Sequence, residues 1–255
     1  MISSLVKNTV YSVLDILTMR KGIRRKINNS TLRFPPRWSR YFESDYESDN
    51  YAFLEQQLKP GMHVIDIGAH IGLFSVVASQ LAGKNGKIVC IEPTPGSMAV
   101  LNKMLRLNHC ENVFPTQAAV SDKEGTATFY ISTIEGSNSN SLVKNKSVDE
   151  KKPYQVRLVT IDGLVSEFSL HPSIIKIDAE GAELDVLKGG LKTLRSLKPI
   201  LILGLHPQFI INKGDSLEAI WELLESHDYN VSYQGRVIDK TSFCSKTDLF
   251  DVHCS

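Results

Sequence analysis

The chain has 255 residues, of which 42% are hydrophobic and 22% charged, and its net charge is +1. That leaves room for one large α/β domain with its own core, and too little positive charge for a general nucleic-acid binder. Cys90, Cys110, Cys244 and Cys254 lie far apart with no C-x-x-C pair. This argues against a disulfide framework or a zinc site and fits the thiols of a reducing, cytoplasmic compartment.

The near-neutral total hides an asymmetry. Residues 1–42 carry nine Lys/Arg against Asp15 alone, a net of +8, which leaves −7 for the rest. Within 2–17, Ile2, Leu5, Val6, Val10, Val13, Leu14 and Leu17 recur at helical spacing. Lys7 and Asp15 interrupt them, so an amphipathic helix is expected rather than a membrane span or signal peptide. Arg20, Lys21, Arg24, Arg25 and Lys26 follow, then Arg33, Arg37 and Arg40 among Phe34, Trp38 and Tyr41. Two readings stand: a helical cap packed on the next domain with a solvated basic flank, or a peripheral contact with an anionic membrane or lipid-linked glycan. Residues 1–42 are thus taken as a basic extension and 43–255 as the main domain.

A short helix is expected over 51–58, ended by Lys59, Pro60 and Gly61. The segment HVIDIGAHIG, residues 63–72, then organises the chain. Val64, Ile65 and Ile67 make one buried parallel strand, and Gly68 and Gly72 turn it into a helix near Leu73. Two glycines let a ligand approach the backbone, and the helix start offers amide donors. Asp66, two positions before the first glycine, suits a cationic ligand better than a pyrophosphate. The D-x-G-x-x-x-G pattern therefore reads as a loop for S-adenosylmethionine (SAM), with His70 shaping it. A dinucleotide loop would need G-x-G-x-x-G, and an NAD(P)-dependent oxidoreductase is the rival reading.

A second strand over 87–91 ends at Glu92, where a carboxylate can accept both ribose hydroxyls of either cofactor. A helix over 97–108 leads to a third strand over 112–119, which brings Val120 towards the adenine. Strands are expected over 126–131 and 154–160. Between them, 132–153 is polar and rich in Ser, Asn and Lys, a lid or a disordered loop. The fourth strand, 173–177, delivers Asp178, Glu180 and Glu183, and the following helix is broken at Gly189 and Gly190. A fifth strand over 199–205 ends at His206, and a helix over 216–226 follows. Strands at 231–233 and 249–253 close an antiparallel pair. The sum is a doubly wound, mostly parallel seven-stranded sheet with an N-terminal helical extension. Ligands in such sheets sit beyond the strands' carboxyl ends, so Asp66, Glu92, Asp178 and His206 share one crevice.

The phrases VIDIGAHIGLFSVVA, AAVSDKEGTATFY and IIKIDAEGAELDVLKGG resemble the FkbM family of class I SAM-dependent methyltransferases, over roughly residues 41–206. The resemblance implies O-methylation of a hydroxyl on a sugar, glycan or natural product. It also implies that Asp66, Gly68, Gly72 and Glu92 hold SAM, with Asp178, Glu180 and Glu183 near the transferring methyl. One departure is Gly204 and Leu205, where the family commonly has a Glu before its His-Pro. His206 is either the base that takes the acceptor proton or a histidine satisfying a strand-end carbonyl. No second acidic cluster accompanies the carboxylates, so no metal is expected. A non-catalytic module recruited through its basic helix is the third reading.

Overall fold

The structure, a computed structural model, describes residue 11 and residues 20–132 and 151–255. In chain order the strands are β1 (Ile23–Ile27), β2 (Ser30–Phe34), β3 (His63–Ile67), β4 (Lys87–Ile91), β5 (Val113–Thr116), β6 (Ala119–Val120) and β7 (Gly125–Ser132). They continue with β8 (Lys151–Val159), β9 (Pro172–Asp178), β10 (Ile200–Leu205), β11 (Val231–Tyr233), β12 (Arg236–Val237) and β13 (Phe250–Cys254). The helices are α1 (Ser48–Gln57), α2 (Leu73–Ala82), α3 (Pro95–Leu107), α4 (Ile161–Glu167), α5 (Glu183–Lys188), α6 (Leu191–Leu197), α7 (Pro207–Lys213), α8 (Leu217–Ser226) and α9 (Lys240–Cys244).

The main sheet has eight strands in the order β12-β11-β13-β10-β9-β3-β4-β5. β10, β9, β3, β4 and β5 run parallel, and β13 is antiparallel to β10. This is the doubly wound arrangement the alternating elements predict, with one strand more than expected. The extra strand is β12, reached from β11 through Gln234 and Gly235, both at positive φ. Such a two-residue turn matches strand twist.

The two-residue period sorts the sheet into two faces. Ile65, Ile67, Ile175, Ile177, Leu201 and Leu203 pack with Leu184, Leu187 and Trp221 on one side. Val64, Ile88, Ile174 and Ile202 pack with Leu54, Phe74 and Leu101 on the other. The even-numbered face also carries polar residues at its carboxyl end. Register places Asp66 beside Lys176, Asp178 beside Gly204, and Gly204 beside Asp251. One row of side chains on three strands and one on two thus meet beneath the cofactor loop.

One element was not foreseen and one expectation is corrected. Residues 23–34, to which the sequence pattern assigned no element, form a β-hairpin, β1 on β2. Its alternation buries Ile27, Leu32 and Phe34 completely, in the same core as Leu54 and Leu101. Each such side chain stabilises by roughly 1.5–3 kcal/mol, so the basic residues ride on a packed element. The strand expected over 112–119 is two strands. β5 ends at Thr116 at the edge of the main sheet, where Pro115 costs no interior hydrogen bond. β6 then joins a separate sheet of order β6-β8-β7. The helix after Asp178 breaks at Gly189 and Gly190 as expected, giving α5 and α6. The helix at 2–17 lies outside the described residues, as does most of the 132–153 loop. Among the described residues no helix is long and apolar enough to cross a membrane.

Candidate functional site: a cleft at the strand ends

Asp66 ends β3 fully buried, with Oδ2 accepting from Ser75 Oγ at 2.5 Å. Its Oδ1 is buried with no hydrogen-bond partner among the described residues. Burial raises the Asp66 carboxyl above its ordinary range, opposed by the nearby Lys176 ammonium and the Ser75 hydrogen bond. The loop then turns at Gly68, whose φ of +77° is a conformation that side-chain-bearing residues avoid. A Cβ there would lie 1.9 Å from the Asp178 carbonyl oxygen, so only glycine lets β3 and β9 approach this closely. The Gly68 and Ala69 amides both donate to the Ile91 carbonyl at 3.0 Å. Gly72, at φ +85°, caps α2.

His70 shapes the loop through its backbone and ring. Its amide donates to Glu92 Oε2 at 2.9 Å. Its ring meets Trp38 edge-on at 5.8 Å and lies 6.4 Å from Phe42. Burial lowers the His70 pKa. Glu92 is itself buried, with Oε1 accepting from the Thr94 amide at 2.8 Å and the Thr94 hydroxyl at 2.5 Å. Burial pushes its pKa up to about 7, against the opposing hydrogen bonds from Thr94 and His70. A carboxylate has about four acceptor sites, and these three bonds leave one on Oε2.

Asp66, Gly68, His70, Glu92, Val120, Asp178 and Glu180 all line one cleft. Of the remaining expected residues, Gly72 holds the start of α2, and Glu183 and His206 stand behind Asp178 rather than on the wall. His206 Nδ1 lies 3.0 Å from Glu183 Oε1, and Nε2 lies 3.7 Å from Asp178 Oδ1. Glu183 is fully buried, and its Oε1 also accepts from the Gly181 amide at 3.0 Å. Burial disfavours the imidazolium, but the Glu183 hydrogen bond and the charges of Asp178, Glu183 and Glu180 outweigh it and raise the His206 pKa. Glu180 holds φ +47°, a left-handed conformation concentrated at functional turns.

Sequence reasoning missed Lys176, Glu47, Tyr46, Tyr51 and Asp251. Lys176 is 6% exposed and points its Nζ at Asp178 Oδ2, 3.2 Å away. Burial works against its charge, yet Asp178, Glu47, Asp66 and Tyr46 together push its pKa up. The legible signal was a lysine two residues before Asp178 in an otherwise apolar strand, on the same face by the period of two. Tyr46, Glu47 and Tyr51 join the wall from the start of α1. The Tyr51 hydroxyl is buried with no hydrogen-bond partner among the described residues. Asp251 stands across Gly204, where a Cβ would meet Asp251 Oδ1 at 3.1 Å and Asp178 Cγ at 3.5 Å. Burial, then the Glu47 charge, raises Asp251 to about 6.

The family model described as the methyltransferase FkbM domain matches residues 66–231. The chain belongs to that family. The matched region is a SAM-dependent methyltransferase domain of FkbM type, and the dinucleotide reading is set aside. The chain is 24% identical over 157 residues to the hexuronic acid methyltransferase AglP of Haloferax volcanii, covering 61% of each chain. It is 26% identical over 183 residues to the 2-O-methyltransferase NoeI of Sinorhizobium fredii, covering 67% of this chain and 74% of that protein. A 25% match to the AMB antimetabolite synthetase AmbE of Pseudomonas aeruginosa covers 69% of this chain but 10% of the synthetase. The chain thus spans a small part of one relative and under two thirds of the next.

The cleft fits this cofactor on its own chemistry. Asp66 Oδ1 and the Tyr51 hydroxyl are buried polar atoms awaiting a partner, and the open Glu92 site suits a ribose hydroxyl. Ile91, Ala118 and Val120 give an apolar wall between them, as an adenine face requires.

Proposed function

We propose that the enzyme methylates a hydroxyl group of a sugar, glycan or related polyol, with Asp178 meeting the acceptor. One observation carries this reading. Asp178, at the carboxyl end of β9, opens on the cofactor cleft with Lys176 beside it on the wall and His206 behind it. Bound SAM supplies an electrophilic methyl group on a sulfonium. Asp66, Gly68, Glu92 and Val120 hold and orient it, so that alignment lowers most of the barrier. Asp178 would accept a hydrogen bond from the acceptor hydroxyl and take its proton when the methyl passes from sulfur to oxygen, leaving the neutral thioether.

In this assignment Glu183 fixes the His206 Nδ1–H, leaving Nε2 to face Asp178, and His206 is a positioning residue rather than the base itself. Its raised pKa favours the imidazolium, which suits a partner for a carboxylate better than a first proton acceptor. The sugar acceptor named for AglP and the O-methylation named for NoeI support the hydroxyl reading. The basic residues of 1–42 would then meet an anionic membrane face or lipid-linked glycan from the cytoplasmic side, alongside the 43–255 domain.

The test is methyl transfer from isotopically labelled SAM to a glycan and glycolipid extract, followed by linkage analysis of the product. Wild type is expected to leave an O-methyl sugar, and Asp178→Asn to lose at least a hundredfold in rate while still binding SAM. Label found on nitrogen or carbon instead, or full activity in Asp178→Asn, overturns the assignment.

A further inference from the structure

The cleft wall carries the carboxylates Glu47, Asp66, Glu92, Asp178 and Glu180 against one lysine, Lys176. Most of these are engaged with the fold. Asp66 takes the Ser75 hydroxyl, Glu92 takes Thr94 and the His70 amide, and Asp178 takes Lys176. Glu47 is engaged by the Tyr46 side chain through a hydrogen bond. It stands at the start of α1 at φ +46°, ψ +39°, and its side chain makes no capping hydrogen bond. A non-glycine residue in the left-handed region is strained, and an uncapped helix start forfeits a stabilising contact. The chain accepts both costs and puts the carboxylate on the cleft wall.

The reach of that carboxylate is visible in its neighbours. Tyr46, Tyr51, Asp66, His70 and Lys176 all respond to the Glu47 charge, and all five line the cleft. Asp251, one strand further on, responds as well. Those five share the cleft wall with Glu47, so a ligand lying against them lies near its carboxylate. The unpartnered buried Asp66 Oδ1 and Tyr51 hydroxyl face the same space and mark it as a site for a polar ligand.

We propose that Glu47 is a specificity carboxylate that favours the positively charged methyl donor over the neutral thioether left after transfer. The two ligands share their adenosine and amino-acid parts and differ by one methyl group and one positive charge. A carboxylate on the cleft wall attracts the charged ligand and not the neutral one, and the difference grows as the site excludes water and its effective dielectric falls. The direction is useful to turnover, since the product leaves a cleft built for a cation.

The experiment is calorimetric titration of the full chain with SAM, S-adenosylhomocysteine and sinefungin, an analogue bearing an amine cation in place of the sulfonium. Glu47→Gln is expected to weaken SAM and sinefungin at least fivefold while leaving S-adenosylhomocysteine within twofold. Glu47→Gly tests the same point without a folding penalty, because glycine relieves the positive φ. It is expected to match Glu47→Gln in ligand preference and to melt at or above the wild-type temperature. A SAM to S-adenosylhomocysteine preference that changes by less than threefold in both variants overturns the proposal, including the case where all three ligands weaken alike. The readout needs no acceptor, so it stands apart from the question of what is methylated.

Discussion

Cofactor binding should release a proton, and Glu92 is the reason. In the ligand-free cleft its pKa is raised from 4.5 to about 7 by burial. At 1.36 kcal/mol per unit, keeping it ionised there costs about 3 kcal/mol. The sign follows from linkage. A carboxyl whose folded pKa lies above its unfolded value favours the fold most below pH 4.5, and that contribution is lost as pH rises to about 7. A ribose hydroxyl donating to the open site on Oε2 reverses the preference, because a hydrogen bond to the charged form favours that form. SAM affinity should therefore climb as pH rises through 7 and level off above 8. At pH 6 about one tenth of Glu92 is ionised, so affinity there should be about tenfold below the plateau. Calorimetry in buffers of different ionisation enthalpy should count roughly 0.9 protons released at pH 6 and roughly 0.1 at pH 8. Glu92→Gln removes the titrating group and should flatten the profile, which separates it from the ligand's own amine. Proton release that is absent at pH 6, or that persists in Glu92→Gln, would refute the assignment of Glu92 to the ribose.

Two substitutions probe the groups around Asp178. In Gly204→Ala the new methyl meets Asp251 Oδ1 at 3.1 Å, so Asp251, which shares its row with Asp178, must give by a few tenths of an ångström, while Asp178 Cγ at 3.5 Å stays in ordinary contact. Thermal melting should fall by only a few degrees, as for a cost of about 1 kcal/mol. Methyl transfer should drop at least tenfold, and a variant of wild-type rate would show that the gap at Gly204 has no role. His206→Gln should destabilise in a pH-dependent manner. The raised His206 pKa means its contribution is fully present below pH 6.5 and is lost as pH rises through the folded value. Denaturant titration should therefore find the variant about 1–3 kcal/mol less stable than wild type at pH 6 and nearer to it at pH 9. An equal deficit at both values would mean that the Glu183–His206 contact acts by packing alone.

How much of this was legible in the sequence depends on which kind of order each residue belongs to. Asp66, Gly68 and Glu92 are fixed by local order: a strand, a turn and a strand end, each read from a few neighbours. The cofactor loop could be found that way because the tight turn at Gly68 is a local feature, while the close approach of the Asp178 carbonyl, which also demands glycine there, is not. The Lys176–Asp178 pair is local, two residues apart on β9, but Asp251 and the charges of Asp66 and Glu47 around Lys176 belong to long-range order. Such neighbours are set by which elements come together, and β13 comes to lie beside β10 only after the chain has passed through α7, α8, two further strands and α9. The hairpin of 23–34 was missed for a related reason. Its alternation is short, and Arg24, Lys26 and Arg33 on its outward face imitate a solvated flank until the inward Ile27, Leu32 and Phe34 are seen to meet α1 and α3.

The same register resolves the departure at Gly204. A side chain on that position would compete with Asp251 for the space beside Asp178. Without one, β13 can deliver a carboxylate to the same row from the opposite strand direction. The consequence is a site whose acidic groups come from β3 and β9, the residue after β4, the turn after β9, the turn before α1 and the antiparallel closing strand. Lys176 lies among them with its charge shared between Asp178, Glu47 and Asp66. Removing any one carboxylate therefore alters the field at the others, and single substitutions here should not add. A double-mutant cycle between Glu47 and Asp251, read as SAM affinity, should show coupling well beyond experimental error even though the two residues sit on different elements.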